Sequence, residues 1–234
     1  MYFITAIAAL VGMMAAASQQ GTTGDTPPNT LSAAERAAGW RLLFDGKTLK
    51  GWRGFKQQKV PPAWQVQDGA IVRVADGPDL ITVDQFDDFE LALEWKLAEG
   101  GNSGIMFRVS EDAAATYHTG PELQILDDDR HRDGQDKTRT TGSNYALHAP
   151  ATNAVKPIGS WNTVRLVVNG NRVTHWLNGE KIIEYDLGTP EWATLVAASK
   201  FKEWPNYGKI PKGHIALQQH GARVEFRNIK IKPL

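Results

Sequence analysis

Residues 162–187 read NTVRLVVNGNRVTHWLNGEKIIEYDL, three β-branched runs parted by Asn-Gly, and that reading decides the fold class. Asn-Gly suits the two-residue hairpin loop, whose central residues need positive φ to match the twist of paired strands. A three-stranded antiparallel meander follows. The same period of two recurs on either side. In FELALEWKL, residues 89–97, Phe89, Leu91, Leu93 and Trp95 fall on one face and Glu90, Ala92, Glu94 and Lys96 on the other, as in a half-buried strand. In ARVEFRNIKIKP, residues 222–233, Val224, Phe226, Ile229 and Ile231 all point inward only if the chain kinks near Asn228. From Trp40 onward Gly, Asn, Asp or Pro interrupts such runs every ten or so residues, and no long helical period competes. So many strands must bury one sheet against another, which predicts an all-β, two-sheet antiparallel sandwich. Period alone leaves jelly-roll, immunoglobulin-like and propeller orders open, and the lack of a blade-length repeat disfavours the propeller.

The length of 234 residues suits one large all-β domain, or one domain with a short extension. Twenty-six basic and twenty-six acidic residues cancel, so no overall field draws the chain to nucleic acid or anionic lipid. The absence of cysteine excludes disulfides, thiolate metal sites and a cysteine nucleophile. Residues 1–18, MYFITAIAALVGMMAAAS, form an uncharged apolar run ending in small residues and read as a signal peptide. The rival is a spanning helix, which needs about 20 apolar residues, whereas Ser18, Gln19 and Gln20 arrive early. The expectation is export to the periplasm or cell exterior, with no stable membrane insertion after cleavage. Residues 19–38 read as a polar linker ending in a short helix over Leu31–Ala38, with Ser32 and Glu35 as a capping box. Residues 39–234 are the sandwich.

Three strands carry polar groups too specific for solubility alone. GNSGIMFRV, residues 101–109, buries Ile105, Phe107 and Val109, turns Met106 and Arg108 the other way, and opens with Asn102 and Ser103. GPELQILDDDRH, residues 120–131, buries Leu123 and Ile125, leaves Glu122 and Gln124 side by side, and puts Asp127, Asp128, Asp129 and His131 on the following loop. GHIALQQHG, residues 213–221, buries Ile215 and Leu217 and turns His214, Gln218 and His220 to the opposite face. If the three strands share a sheet, these groups converge into a surface suited to carbohydrate, with eight tryptophans available as stacking rings. The bland alternative is an ordinary solvated sheet face.

The histidines divide. His175, between a β-branched run and a turn, reads as structural, and His118 as an exposed loop residue. His131 after three aspartates suits either a divalent-metal site or a solvated acidic loop. His148 and His220 lie where strands end, and either can serve as a general base near neutral pH. Glu90 and Glu94 are the tempting glycosidase pair, yet four residues of strand put them about 13 Å apart, beyond the ~5–9.5 Å of either acid-pair mechanism. No G-x-S-x-G, P-loop or H-E-x-x-H occurs, so no nucleotide or organic cofactor is expected.

Across GWRLLFDGKTLKGW, GGNSGIMFR, GPELQILDDDRH, IGSWNTVRLVVNGNRVTHWLNGEKIIEY, PEWATLVAASKFK and GHIALQQHGARVEFRNIKIKPL, in that order from Gly39 to Leu234, the chain resembles the 3-keto-disaccharide hydrolase domain family. The resemblance implies a concanavalin-like jelly-roll and action on glycosides already oxidised to a ketone at C3. Such a ketone acidifies the C2 hydrogen, so one base and one oxyanion stabiliser suffice to expel the C1 substituent by β-elimination, and added water completes a net hydrolysis. Carried onto this chain, the motifs imply a pocket of Glu122, Gln124, Asp127, His131, His148, Lys200 and His220. Glu122, Asp127 and His131 are then the metal or oxyanion group, and His148 or His220 the C2 base. Asn102, Arg108, Gln124, Lys200 and Gln218 are expected to bind an oligosaccharide or glycoside. The rival function is a non-catalytic carbohydrate-binding sandwich, since folds of this kind host both.

Overall fold

Alternating side chains become strands wherever turn residues punctuate them. The computed structural model describes residues 26–234, so the expected leader lies outside the described residues. In chain order the strands are β1 (Arg41–Leu42), β2 (Trp52–Gly54), β3 (Trp64–Gln67), β4 (Ala70–Arg73), β5 (Leu80–Thr82), β6 (Phe89–Leu97) and β7 (Asn102–Val109). They continue as β8 (Glu122–Leu126), β9 (Asn162–Asn169), β10 (Arg172–Leu177), β11 (Glu180–Asp186), β12 (His214–Leu217) and β13 (Val224–Pro233), with helices α1 (Ala33–Ala37) and α2 (Pro190–Ala198). The predicted meander is β9–β10–β11. Its second turn places Asn178 at φ 50° and Gly179 at φ 88°, the paired positive values of a type I′ loop. In its first turn Gly170 alone takes the positive value, φ 58°.

The sheets are both antiparallel. One runs β11-β10-β9-β6-β13-β4-β3 with β1 beside β13, and the other runs β2-β5-β12-β7-β8. Phe89, Leu91, Leu93 and Trp95 of the first sheet bury as predicted, and they share one core with Ile105, Phe107, Leu123, Ile125, Ile215 and Leu217 of the second. The expected kink in β13 is present: Asn228 sits at φ 53° and the pairing with β6 slips between Arg227 and Lys230. That slip returns Ile229 and Ile231 to the core face.

One inward assignment is corrected. Val109 does not join Ile105 and Phe107 but packs with Met106, Phe55, Ile81 and Ala216 on the outer face of the smaller sheet. The cause is a bulge: Arg108 takes φ 53°, and three steps of β7 oppose two of β12 between Val109 and Met106. Alternation therefore changes phase at Arg108.

The short helix spans Ala33–Ala37, and both halves of its capping box form, Glu35 N–H to Ser32 Oγ at 3.1 Å and Ser32 N–H to Glu35 Oε2 at 2.8 Å. It docks on the larger sheet through an ion pair between Glu35 and Lys230. Asn29 accepts from the Asn228 N–H at 2.7 Å and donates to the Gly69 carbonyl at 2.8 Å. No helix among the described residues is long and apolar enough to cross a membrane.

Candidate active site

The order β12-β7-β8 makes the three polar strands neighbours. Gly104 pairs with Gln124 and Met106 with Glu122, while the Gln218 N–H donates to the Gly104 carbonyl at 2.9 Å. Asn102, Glu122, Gln124 and Gln218 thus meet on one outer face, as strand parity predicts. They floor a cavity of about 320 Å³, whose walls add Lys200, His220, Tyr117, Tyr145 and Trp204.

Glu122 is buried, only 5% exposed. Its carboxyl rests on Gly104, where an added Cβ would stand 2.1 Å from Oε1, so a residue without a side chain is what admits it. Burial pushes the carboxyl up to about 8; the Lys200 ammonium opposes this, the buried Asp79 carboxyl adds to it, and the Gln218 amide opposes it. Glu122 is therefore mostly protonated at neutral pH and can donate a hydrogen bond. Gln218 Oε1 is buried without a hydrogen-bond partner.

Lys200 reaches the cavity from a 3₁₀ turn, Lys200–Glu203, whose Phe201 N–H donates to Ser199 Oγ at 3.1 Å. A run of stacked rings supports that turn: Tyr185 on Trp192 at 5.8 Å, Trp192 on Tyr207 at 5.8 Å and Tyr207 on Phe201 at 3.9 Å. Thr189 caps α2 and so fixes Trp192, accepting from its N–H at 3.1 Å. Lys200 Nζ stands 4.5 Å from the centre of the Tyr145 ring and 5.6 Å from that of Tyr117, a cation–π setting. Burial lowers its amine below the ordinary lysine range, against the pull of Glu122.

His220 is exposed and borders both this cavity and an adjoining one. The turn before it is tied down by Asp79, whose carboxylate accepts from the Gln219 N–H at 2.9 Å and from Thr116 Oγ1. Burial raises the Asp79 carboxyl, while its two hydrogen bonds and the charge of His220 pull the other way. No motif or strand period in the sequence marks Asp79, Tyr117, Tyr145 or Trp204 as cavity residues. Asp79 had one signal there, an acid directly before the apolar run Leu80-Ile81.

Four expected residues stand elsewhere. Arg108 is carried by its bulge to the rim of the larger sheet, where Nη2 donates to the Gly170 carbonyl at 2.7 Å and approaches Asp88 at 3.4 Å. Asp127 sits just past the far end of β8, five residues and therefore about 16 Å from Glu122. Its oxygens accept from the Gly100 N–H at 2.7 Å and the Arg130 N–H at 3.3 Å. His131 Nδ1 accepts from the Asp133 N–H at 3.2 Å, capping a 3₁₀ turn. Glu122, Asp127 and His131 therefore cannot share one ion, and among the described residues no three His, Cys, Asp or Glu side chains are placed to hold a metal. The donor set does not fit the expected divalent cation.

His148 does not line the cavity. It stacks on Tyr185 at 4.7 Å and its Nδ1 lies 3.0 Å from Asn144 Nδ2, with burial lowering its pKa. His175 is structural as read, with Nδ1 at 3.0 Å from the Gly142 carbonyl, Nε2 at 3.2 Å from Tyr185 Oη, and burial holding it near 4. His118 is half-buried rather than exposed, stacked on Trp204 at 4.3 Å.

Comparison with known proteins bears on this architecture. The family described as the 3-keto-alpha-glucoside-1,2-lyase-like domain matches residues 39–232. A 3-keto-disaccharide hydrolase of Bacteroides thetaiotaomicron is 37% identical over 230 residues, covering 85% of this chain and 79% of the relative. A solved structure from Parabacteroides distasonis, provisionally described as a glycosyl hydrolase, is 37% identical with a TM-score of 0.85, covering 89% of this chain and 100% of that one. The carbohydrate binding module CBM66 of Bacillus subtilis, at 14% identity and TM-score 0.51 over 78% of this chain and 95% of the module, shares the sandwich alone. Because the family match takes in every strand from β1 to β13 but for the last residue of β13, the chain belongs to the 3-keto-disaccharide hydrolase family, of the 3-keto-alpha-glucoside-1,2-lyase-like kind.

Proposed function

We propose that this protein cleaves the glycosidic bond of a glycoside or disaccharide bearing a ketone at C3, by elimination and hydration. The observation that carries the reading is the content of the cavity. Of the residues lining it, Glu122 alone has a carboxyl, and it is buried beside a lysine whose amine is also part-buried, with an exposed imidazole on the cavity wall. An acid-pair hydrolase needs two carboxyls across the bond. A ketosugar needs an oxyanion holder and one base.

In this reading the C3 carbonyl oxygen faces the Lys200 ammonium and the protonated Glu122 carboxyl. His220 takes the C2 proton, and the C–H electron pair becomes the C2=C3 bond as the carbonyl oxygen gains charge. Donors already fixed where that charge develops stabilise it without reorganising. The electrons then return: C3=O re-forms, C1=C2 forms, the C1–O bond breaks, and the imidazolium protonates the leaving oxygen. Water adds across C1=C2, its hydroxyl to C1 and a proton to C2, releasing the free 3-keto sugar. Asn102, Gln124 and Gln218 supply amides for sugar hydroxyls, and Tyr117 and Trp204 offer ring faces.

The test compares a 3-keto-disaccharide with its unoxidised parent in deuterated water. Turnover of the ketone alone, with deuterium at C2 of the product, is expected. His220→Ala should lose about 10²- to 10⁴-fold in kcat, the usual worth of a positioned base, whereas His148→Ala should keep turnover within a few-fold. Comparable cleavage of the parent sugar, or full activity in His220→Ala, overturns the mechanism. Saturable binding of both sugars with no product would instead favour a binding module that uses the Tyr117 and Trp204 rings.

A further inference from the structure

A second cavity, about 310 Å³, adjoins the first and shares Tyr117, Gln218 and His220 with it. Its own walls differ in kind. Phe55, Pro78, Ala114 and Ala115 present rings and methyl groups, and its one charged group, Asp79, has its oxygens engaged by Thr116 and the Gln219 N–H. The first cavity therefore offers amides, an ammonium and a carboxyl, and the second offers mainly apolar surface, with Gln219 its one amide apart from the shared Gln218. A glycoside is divided in the same way at its scissile bond. The ring that ionises needs polar partners, while the group leaving C1 needs only a shape and a proton.

We infer that the second cavity is the leaving-group subsite and that it selects aglycones with an apolar or aromatic face over a second fully hydroxylated sugar. The inference rests on the ketosugar reading of the first cavity. The scissile C1–O bond then crosses where the cavities meet, at the shared residues, which puts His220 beside both C2 and the leaving oxygen. Tyr117, 37% exposed on the same border, covers the aglycone as it covers the sugar. Ala115 has extended backbone, φ −143° and ψ 158°, so a large side chain is compatible there and fills the subsite from its wall.

Two measurements separate this inference from the function beneath it. The first is binding of unoxidised phenyl and methyl glucosides of one anomer by calorimetry. The wild type should hold the phenyl compound at least tenfold more tightly, and Ala115→Trp, checked for an unchanged melting temperature, should abolish the difference. The second is turnover of phenyl 3-keto-glucoside against 3-keto-glucosyl fluoride, whose leaving group is a single atom. The phenyl-to-fluoride ratio of kcat/KM should fall at least tenfold in Ala115→Trp. Equal affinity for the two glucosides in the wild type, or a ratio indifferent to the substitution while the ketones are turned over, overturns the subsite. A retained phenyl preference with neither ketone cleaved overturns the proposed reaction and leaves the subsite standing.

Discussion

Gly104 is the residue on which the acid of the site depends. A methyl group there would meet Glu122 Oε1 at 2.1 Å and its Cγ and Cδ at 2.8 Å, so the carboxyl would have to swing off the sheet and away from Lys200. The glycine's φ is not in the left-handed region, so Gly104→Ala strains contact rather than backbone. Turnover of the ketone substrate should fall about 10²-fold, the cost of misplacing a reacting group by an ångström or so, with the fold intact by circular dichroism. Undiminished turnover in a folded Gly104→Ala would mean that the position of Glu122 does not matter. Strand parity made Glu122, Gln124 and Gln218 readable in the sequence, because alternate residues of adjacent strands must share a face. Tyr117, Tyr145 and Trp204 come from loops and 3₁₀ turns, where no period says which way a ring points. His148 and His220 looked alike as residues near strand ends. They separate only in three dimensions, where Tyr185 stacks on the first and the second is left open to the cavity.

At the scale of the element, strand pairing slips at three places, at His175–Trp176 between β10 and β11 and at bulges in β7 and β13, and the last two change which face their strands present. The one in β13 was legible, because Phe226 and Ile229 cannot both be core residues of an unbroken strand. The one in β7 was not, because Ile105, Phe107 and Val109 alternate without a fault and nothing in the string marks Arg108 as the extra residue. Its consequence is functional, since it removes Arg108 from the cavity face and hands it to Asp88 and Gly170. The β13 bulge is held from outside the sandwich by Asn29, which takes the Asn228 N–H and gives a bond to Gly69. Asn29 itself lies at φ 61°, so Asn29→Gly preserves the backbone and removes only the side chain. Losing the partner of the part-buried Asn228 N–H should cost about 0.5–1.5 kcal/mol, read as a lower denaturant midpoint with an unchanged m-value. A midpoint equal to the wild type would show that the segment before α1 contributes nothing to the bulge.

Over the whole molecule the charges balance, 26 against 26, so the response of stability to pH falls to individual buried groups rather than to net repulsion. Two of them act in opposite directions. His175, fully buried, is held near 4 by desolvation, against the pull of the Gly142 carbonyl. As pH falls from about 6.5 towards 4, the unfolded chain takes up a proton that the folded one refuses, and ~3 kcal/mol is lost. Glu122 is raised from an ordinary 4.5 to about 8, so as pH rises through that interval the unfolded chain releases a proton that the folded one keeps. The loss is complete only above pH 8 and is on the order of 5 kcal/mol. Between about pH 4.5 and 6.5 the two slopes oppose each other, and above 6.5 only that of Glu122 remains. Glu122→Gln removes the ionisation while keeping the shape. It should therefore match the wild type in thermal melts near pH 4.5 and exceed it increasingly towards pH 9, while losing activity throughout. Parallel melting curves for the two proteins from pH 4.5 to 9 would mean that Glu122 ionises in the folded state as freely as in water, and the protonated carboxyl proposed to hold the enediolate would be lost with it.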